Sequence, residues 1–364
     1  MIDAILQHLA AMVSFDTRNP PRAIDTGGIF EYIHDQLPDF RVDIQDHGAA
    51  AVSLFAVRGA PTRLFNVHLD TVPDSPAWTA DPHVLRVTDD RAIGLGACDI
   101  KGAAACLIAA AQSVPGELAL LFSSDEEAND ARCIDAFLKA GHAFSDVLVA
   151  EPTRCEAVLA HRGISAVQMR FQGEAGHASG AGALEASALH RAMRWGAQAL
   201  QLVESESYQR FGGLSGLRFN IGRIHGGIKA NVIAPEADVS FGFRPLPSQD
   251  MDALHRQFAA CAATGAMERY TETFRGPSLP AGDVAEAEDR RLAARDLADA
   301  MGLPVGNAVD FWTEASLFSQ AGMTAIVYGP GDIAQAHTAD EWVVLAQLQT
   351  YAESVRRIIA KKDA

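Results

Sequence analysis

Apolar residues recur along this chain in two rhythms. Ile5, Leu6, Leu9, Met12 and Val13 stand three or four positions apart over the first turns, which predicts an opening helix. Asn19-Pro20-Pro21 ends that region, because proline lacks the amide hydrogen a helix needs. Short apolar runs then alternate with helical patterns, with strands predicted over 51–57, 63–67, 117–123 and 146–150 and helices over 101–112 and near 131–140. Strand and helix taking turns predicts an α/β sheet covered by helices on both faces.

The rhythm changes after His161. Residues 164–171 alternate like a half-exposed strand and 183–203 read as helical, while 216–224, 238–243, 253–261 and 267–274 follow as strand, strand, helix and strand. β-α-β-β-α-β is the order of a small ferredoxin-like α+β domain. Arg275-Gly276-Pro277 marks the return to the first pattern, which Val305, 324–328 and a C-terminal helix near 345–359 complete. The expected organisation is a discontinuous outer domain, 1–163 and 277–364, interrupted by an inserted domain, 164–276. A chain of 364 residues exceeds what one core usually holds, which fits two domains.

Composition narrows the class of partner. With 48% hydrophobic and 21% charged residues the chain can bury large cores. A net charge of -16 argues against a nucleic-acid partner, which is held by an excess of Lys and Arg. Cys98, Cys106, Cys133, Cys155 and Cys261 are odd in number and have no Cys-x-x-Cys spacing, as expected of reduced thiols in a cytoplasmic protein. The longest wholly apolar run, 103–111, falls well short of the roughly 20 residues a membrane span needs. Met1 to Ile5 carry neither a basic stretch nor a cleavage pattern, so no membrane partner or export signal is expected.

In an open α/β sheet, ligands bind beyond the carboxyl ends of the strands. The polar residues expected there are His68 and Asp70, then Asp125-Glu126-Glu127, then Glu151, then His337 in the loop after 324–328. Asp99 joins them at the start of a helix, in Gly94-Leu95-Gly96-Ala97-Cys98-Asp99-Ile100-Lys101-Gly102. Singly, His68 reads equally as a core histidine, Glu126-Glu127 as a solvated helix start and Asp99 as an N-cap. Their convergence on one rim points instead to a mixed nitrogen and oxygen ligand set that suits zinc, with cobalt or manganese as substitutes. Gly94-x-Gly96 is not a dinucleotide fingerprint, since Asp99 stands where the third glycine would be.

Taken in order, His68–Pro73, 94–102, 125–127, Ala150-Glu151-Pro152-Thr153, 173–179 with Gly176-His177-Ala178-Ser179, 226–235, Arg244-Pro245, Thr313-Glu314-Ala315 and Gly329-Pro330-Gly331 through His337 resemble the M20 family of metallopeptidases and deacylases. The resemblance implies a zinc-peptidase-like catalytic domain with a central mixed sheet and an inserted dimerisation, or lid, domain. It further implies that Asp99 bridges two metal ions, with His68 and Glu151 completing one site and Glu127 and His337 the other, one or both sites being filled by Zn2+. Asp70 would orient His68, and Glu126 would be the general base for water attacking an amide carbonyl. A pair of ions can polarise that carbonyl and make water nucleophilic near neutral pH. His177 would reach the partner subunit's active site in a homodimer to stabilise the oxyanion, while Arg244 and Asn231 would bind the substrate.

Within the family the resemblance is nearest to enzymes that deacetylate N-acetyl-L-amino acids in arginine biosynthesis. It narrowly favours N-acetyl-L-citrulline over N-acetyl-L-ornithine. A succinyl-diaminopimelate desuccinylase or a dipeptidase is the alternative with the same chemistry, and a non-catalytic dimeric binding module is the alternative without it. Two departures stand beside the expected metal centre. Ala128-Asn129-Asp130-Ala131-Arg132 replaces a glycine-rich turn, and Leu95 replaces the usual polar residue between Gly94 and Gly96.

Overall fold

The computed structural model describes residues 1–128 and 130–361, so Asn129 in the first departure lies outside the described residues. The chain divides into two compact units.

The first unit takes in Met1–Leu159, Asp289–Gly306 and the chain from Thr313 onward. Its centre is a mixed six-stranded sheet, in spatial order Arg41–Asp46, Val52–Arg58, Leu118–Ser123, Arg63–His68, Asp146–Val149 and Thr324–Val327. The first two strands form an antiparallel hairpin, and Val52–Arg58 runs antiparallel to Leu118–Ser123. The remaining pairings are parallel, so the chain leaves His68, Ser123, Val149 and Val327 at one rim. Leu118–Ser123 and Asp146–Val149 are buried at every position, as strands covered on both faces must be.

Helices supply that cover. Lys101–Ser113 is buried from Lys101 to Ala111, all round rather than along one stripe. Its alanines let neighbours approach closely, and it packs against the opening helix Ile2–Val13 and the C-terminal helix Leu345–Ala360. Ile2–Val13 buries Ile5, Leu9, Met12 and Val13, the apolar positions that predict it. Several elements carry a weaker signal. The helix Ala287–Met301 turns Ala287, Ala294, Ala298 and Met301 inward, a face too rich in alanine to stand out as apolar. The strand Arg41–Asp46 is a half-exposed sheet edge, and Val305 forms only an isolated bridge with Ala157 instead of a strand.

The second unit takes in Ala160–Glu288 and Asn307–Trp312. Its antiparallel sheet has the order Arg218–Gly226, Glu236–Arg244, Ile164–Gln172 and Met267–Gly276, the ferredoxin-like arrangement. Glu236–Arg244 alternates without a break between exposed or half-buried and buried positions, and its buried Phe241 and Phe243 join Trp195, Phe171 and Phe258 in one aromatic core. Trp195 donates its indole N–H to the Phe258 carbonyl at 2.8 Å, which removes the cost of burying it. The helix Met251–Ala260 begins at Asp250, whose carboxylate accepts the N–H groups of Asp252 and Ala253. The helical stretch expected over 183–203 is interrupted at Ser187, which is extended between Ala183–Ala186 and Ala188–Ser205.

This unit is wider than the 164–276 span read from the sequence. His161 and Leu279 exchange backbone hydrogen bonds at 2.9 and 3.1 Å, and Trp312 donates to the Pro277 carbonyl at 3.1 Å. Among the described residues no helix is long and apolar enough to cross a membrane.

Candidate metal centre and active site

Past Arg63, the strand Arg63–His68 is buried, and it delivers His68 to the rim. His68 Nε2 lies 3.2 Å from Asp99 Oδ1 and 3.9 Å from Glu151 Oε1, the latter just past the adjacent strand Asp146–Val149. His337 comes from the loop after Thr324–Val327 with φ +59°, a left-handed conformation that histidine tolerates better than most side chains. Its Nε2 is 2.9 Å from Glu127 Oε1 and 3.4 Å from Asp99 Oδ2. Two groups result, His68–Asp99–Glu151 and Asp99–Glu127–His337. Asp99 belongs to both, and its two oxygens face different imidazoles.

Asp99 is not on a strand, so something else must hold it. The buried carboxylate of Glu341 does, accepting the N–H groups of Gly96, Cys98 and Asp99 at 3.0, 2.8 and 2.9 Å. Gly96 permits the turn: its φ is +78°, and a Cβ there would stand 2.8 Å from Thr71 Cγ2. Sequence reasoning missed Glu341, because an isolated glutamate before Trp342-Val343-Val344 carries no motif. Gly329 makes a comparable close approach, its missing Cβ leaving room for the Glu151 backbone 2.5 Å away.

Asp70 is fully buried behind His68. His68 Nδ1 lies 3.1 Å from the Asp70 carbonyl and 3.4 Å from its Oδ1. Both neighbours are acceptors, so they hold a proton on Nδ1 and leave Nε2, which faces Asp99 and Glu151, as the nitrogen that would ligate an ion. Asp70 Oδ2 accepts the Glu127 N–H at 3.0 Å, so the same carboxylate touches one member of each group.

The electrostatics report a shortage of positive charge. Burial pushes the Glu126 and Glu151 carboxyls well above the usual carboxylate range, and the nearby Glu127 and Glu314 charges act in the same sense. Glu314, buried and bonded to the Ser123 hydroxyl at 3.0 Å, is pushed up to about 8 by burial and by Asp125. Burial would raise Asp99 too, but hydrogen bonds from His337 and His68 outweigh it and hold that carboxyl well below its usual range. Hydrogen bonds to Asp99 and Glu127 push His337 up to about 11. A rim this rich in buried carboxylates is stabilised by cations, and its two nitrogens and several oxygens are a donor set that divalent transition metals accept.

The expected residues of the inserted segment lie in the second unit. His177 is exposed, and its Nδ1 lies 2.7 Å from Ser179 Oγ and accepts the Ser179 N–H at 3.3 Å. The ring proton therefore sits on Nε2, leaving a free donor at the outer edge of the imidazole. His177 bridges to Val232, and Ala178 donates to the Asn231 carbonyl at 3.1 Å, so the His177 and Asn231 loops are joined through their backbones. Half-buried Arg244 ends the strand Glu236–Arg244, and burial lowers its guanidinium pKa. Among the described residues that guanidinium has no hydrogen bond or ion pair.

Residues 64–361 match the model of Peptidase family M20/M25/M40. The chain belongs to this family. The M20 chain is 69% identical to the N-acetyl-L-citrulline deacetylase of Xanthomonas campestris pv. campestris, over 99% of this chain and 98% of that one. It is 31% identical to the acetylornithine deacetylase of Myxococcus xanthus, over 87% and 86% of the two chains. Two solved structures share the fold at low identity. One is the aminopeptidase PepT of Bacillus cereus, with TM-score 0.75, 18% identity and 99% of each chain covered. The other is a dinuclear metal-binding M20 peptidase of Bacillus subtilis, with TM-score 0.66, 12% identity and 98% and 97% covered. The family and α/β architecture expected from the ordered motifs are therefore those found, and the chain is an M20 hydrolase.

The two departures from the M20 pattern have local explanations. Leu95 is buried and its N–H bonds the Pro82 carbonyl at 2.9 Å, so an apolar side chain suits the position. Asp130 fastens the first departure at both ends: its N–H donates to the Asp125 carbonyl at 3.1 Å, and its carboxylate accepts Arg132 Nε at 2.8 Å. Cys98, beside Asp99, is buried with its thiol directed at the Asp332 carbonyl, and burial raises its pKa, which makes it inert packing.

Proposed function

We propose that this M20 hydrolase removes the acetyl group from N-acetyl-L-citrulline, as a cytoplasmic homodimer serving arginine biosynthesis. The observation that carries the reaction class is Asp99, whose two oxygens face different imidazoles, those of His68 and His337. The substrate rests on the 69% identity to an N-acetyl-L-citrulline deacetylase across almost the whole of both chains.

In this reading His68, Asp99 and Glu151 hold one Zn2+ ion, and Asp99, Glu127 and His337 hold a second, with Co2+ or Mn2+ as substitutes. When bound, such ions polarise the amide carbonyl and lower the pKa of water. Glu126 supplies the proton transfers. It makes no side-chain hydrogen bond among the described residues, and burial makes it a more basic carboxylate than usual. It takes a proton from the attacking water and gives it to the leaving nitrogen as the C–N bond breaks, yielding acetate and a free α-amine. Asp70 keeps the proton of His68 on Nδ1.

The second unit is the dimerisation and lid domain, contributed by 164–276 with its flanks. His177 of one subunit donates its Nε2–H to the developing oxyanion in the partner's site. Arg244 grips the substrate α-carboxylate and Asn231 bonds the substrate nearby. The unpartnered guanidinium and the free imidazole donor support these roles.

The test compares kcat/KM for N-acetyl-L-citrulline, N-acetyl-L-ornithine and N-succinyl-diaminopimelate on one Zn2+-loaded preparation. The expected result favours citrulline by at least about tenfold, equivalent to about 1.4 kcal/mol of differential transition-state binding. A preference for either other substrate overturns the assignment.

A further inference from the structure

Asn19-Pro20-Pro21 reads in the sequence as the end of a helix, yet Asn19 is almost fully buried beside the metal-holding residues. Both hydrogens of its amide are used: Nδ2 donates to Asp70 Oδ2 at 2.9 Å and to the Ser124 carbonyl at 3.2 Å. Its Oδ1 accepts Arg22 Nε at 2.9 Å, and its backbone N–H bonds the Thr71 carbonyl at 2.8 Å. Arg22 has only donors to offer, so it fixes which end of the amide faces Asp70. Arg22 reaches further, to Asp130 at 3.2 Å, within the segment that replaces the glycine-rich turn of the M20 pattern.

The consequence falls on Asp70. Its Oδ2 is occupied by two donors, Asn19 Nδ2 and the Glu127 N–H. Its Oδ1 has no hydrogen-bond partner and lies 3.4 Å from His68 Nδ1. Two donors on one oxygen lock the carboxylate plane, and that plane turns the other oxygen towards His68. Without Asn19, the carboxylate is held by Glu127 alone and is free to rotate about its bond to the chain.

We propose that Asn19, oriented by Arg22, is a positioning residue for the metal centre, acting through Asp70 on both His68 and the Glu127 turn. The ion pair between Arg22 and Asp130 ties this network to the departure at Asp130. The inference rests on the reading of His68, Asp99, Glu127, Glu151 and His337 as ligands, and it concerns metal affinity rather than any substrate.

The experiment measures Zn2+ binding by calorimetric titration of the metal-free protein, the d–d absorption of the Co2+-loaded form, and the melting temperature of the metal-free form. The proteins are wild type, Asn19→Ala, Asn19→Asp and Arg22→Ala. Residues that bond to a ligand directly are worth about 10- to 100-fold in metal affinity. One step further out, Asn19→Ala is expected to lose about tenfold. Asn19→Asp is expected to lose more, since it sets a carboxylate against Asp70, and Arg22→Ala less than Asn19→Ala. The Co2+ spectrum should shift in both Asn19 variants. Arg22 is part-exposed, so its variant keeps the measurement available if the Asn19 variants do not fold. Wild-type affinity and spectrum in every folded variant, with or without a lowered melting temperature, reduce the network to structural support and overturn the proposal. A wild-type protein that binds no Zn2+ overturns the ligand reading itself, and is distinguishable from the first outcome.

Discussion

In the first unit, polar groups are buried in quantity at the ends of apolar strands: His68, Asp70, Asp99, Asp125, Glu151, Glu314 and Glu341 are all nearly inaccessible. In the second unit the core is aromatic and the residues with candidate chemistry stand at or near the surface, His177 and Asn231 exposed and Arg244 half-buried. The difference separates two ways of preparing a side chain for chemistry. Burial in the first unit shifts protonation and fixes geometry, because each carboxylate must be paired, protonated or neutralised by a cation. The second unit leaves donors unsatisfied at its surface, where they cost little until a ligand arrives.

The largest effect is expected from removing the proposed base of the first unit. Glu126→Gln keeps the shape of the side chain and every proposed ligand, so metal content measured by atomic absorption should match wild type. Turnover should fall by about 10²- to 10⁴-fold, and an unchanged kcat would move the proton transfer to another group. His177→Ala should lower kcat by about 10²- to 10³-fold, the usual effect of deleting one oxyanion donor, with metal content again unaltered. Mixing that variant with Glu126→Gln protein sharpens the test: if His177 acts across a dimer, hybrids regain activity that neither parent has. Arg244→Ala should have the smallest effect. A lost charge-assisted bond of about 1.5–3 kcal/mol predicts a rise in KM on the order of 10- to 100-fold with kcat nearly kept. Equal KM values for variant and parent would remove Arg244 from carboxylate binding.

Legibility followed the same division. Strand Arg63–His68 was readable because an apolar run ends in a polar residue, and rule-bound topology brings such ends to one rim. The second unit was readable as alternating strands and helices, and its four-stranded sheet follows the expected β-α-β-β-α-β order although the first helix is interrupted at Ser187. Its edges were less so, since the exchange between His161 and Leu279 and the Trp312 bond to Pro277 link residues far apart in sequence. Helix Ala287–Met301 escaped because alanines make most of its buried face.

The periodicities, the residue types available for ligation and proton transfer, and the family, through motifs kept in order, are properties of the linear chain. Folding alone turns one oxygen of Asp99 to each histidine, sets Glu341 under the Asp99 loop to accept three N–H bonds, and closes Asn19 on Asp70. The physical reason is range. Periodicity and propensity act over a few neighbouring residues, whereas Glu341 and Asp99 are 242 positions apart and meet only once the sheet and its covering helices have formed.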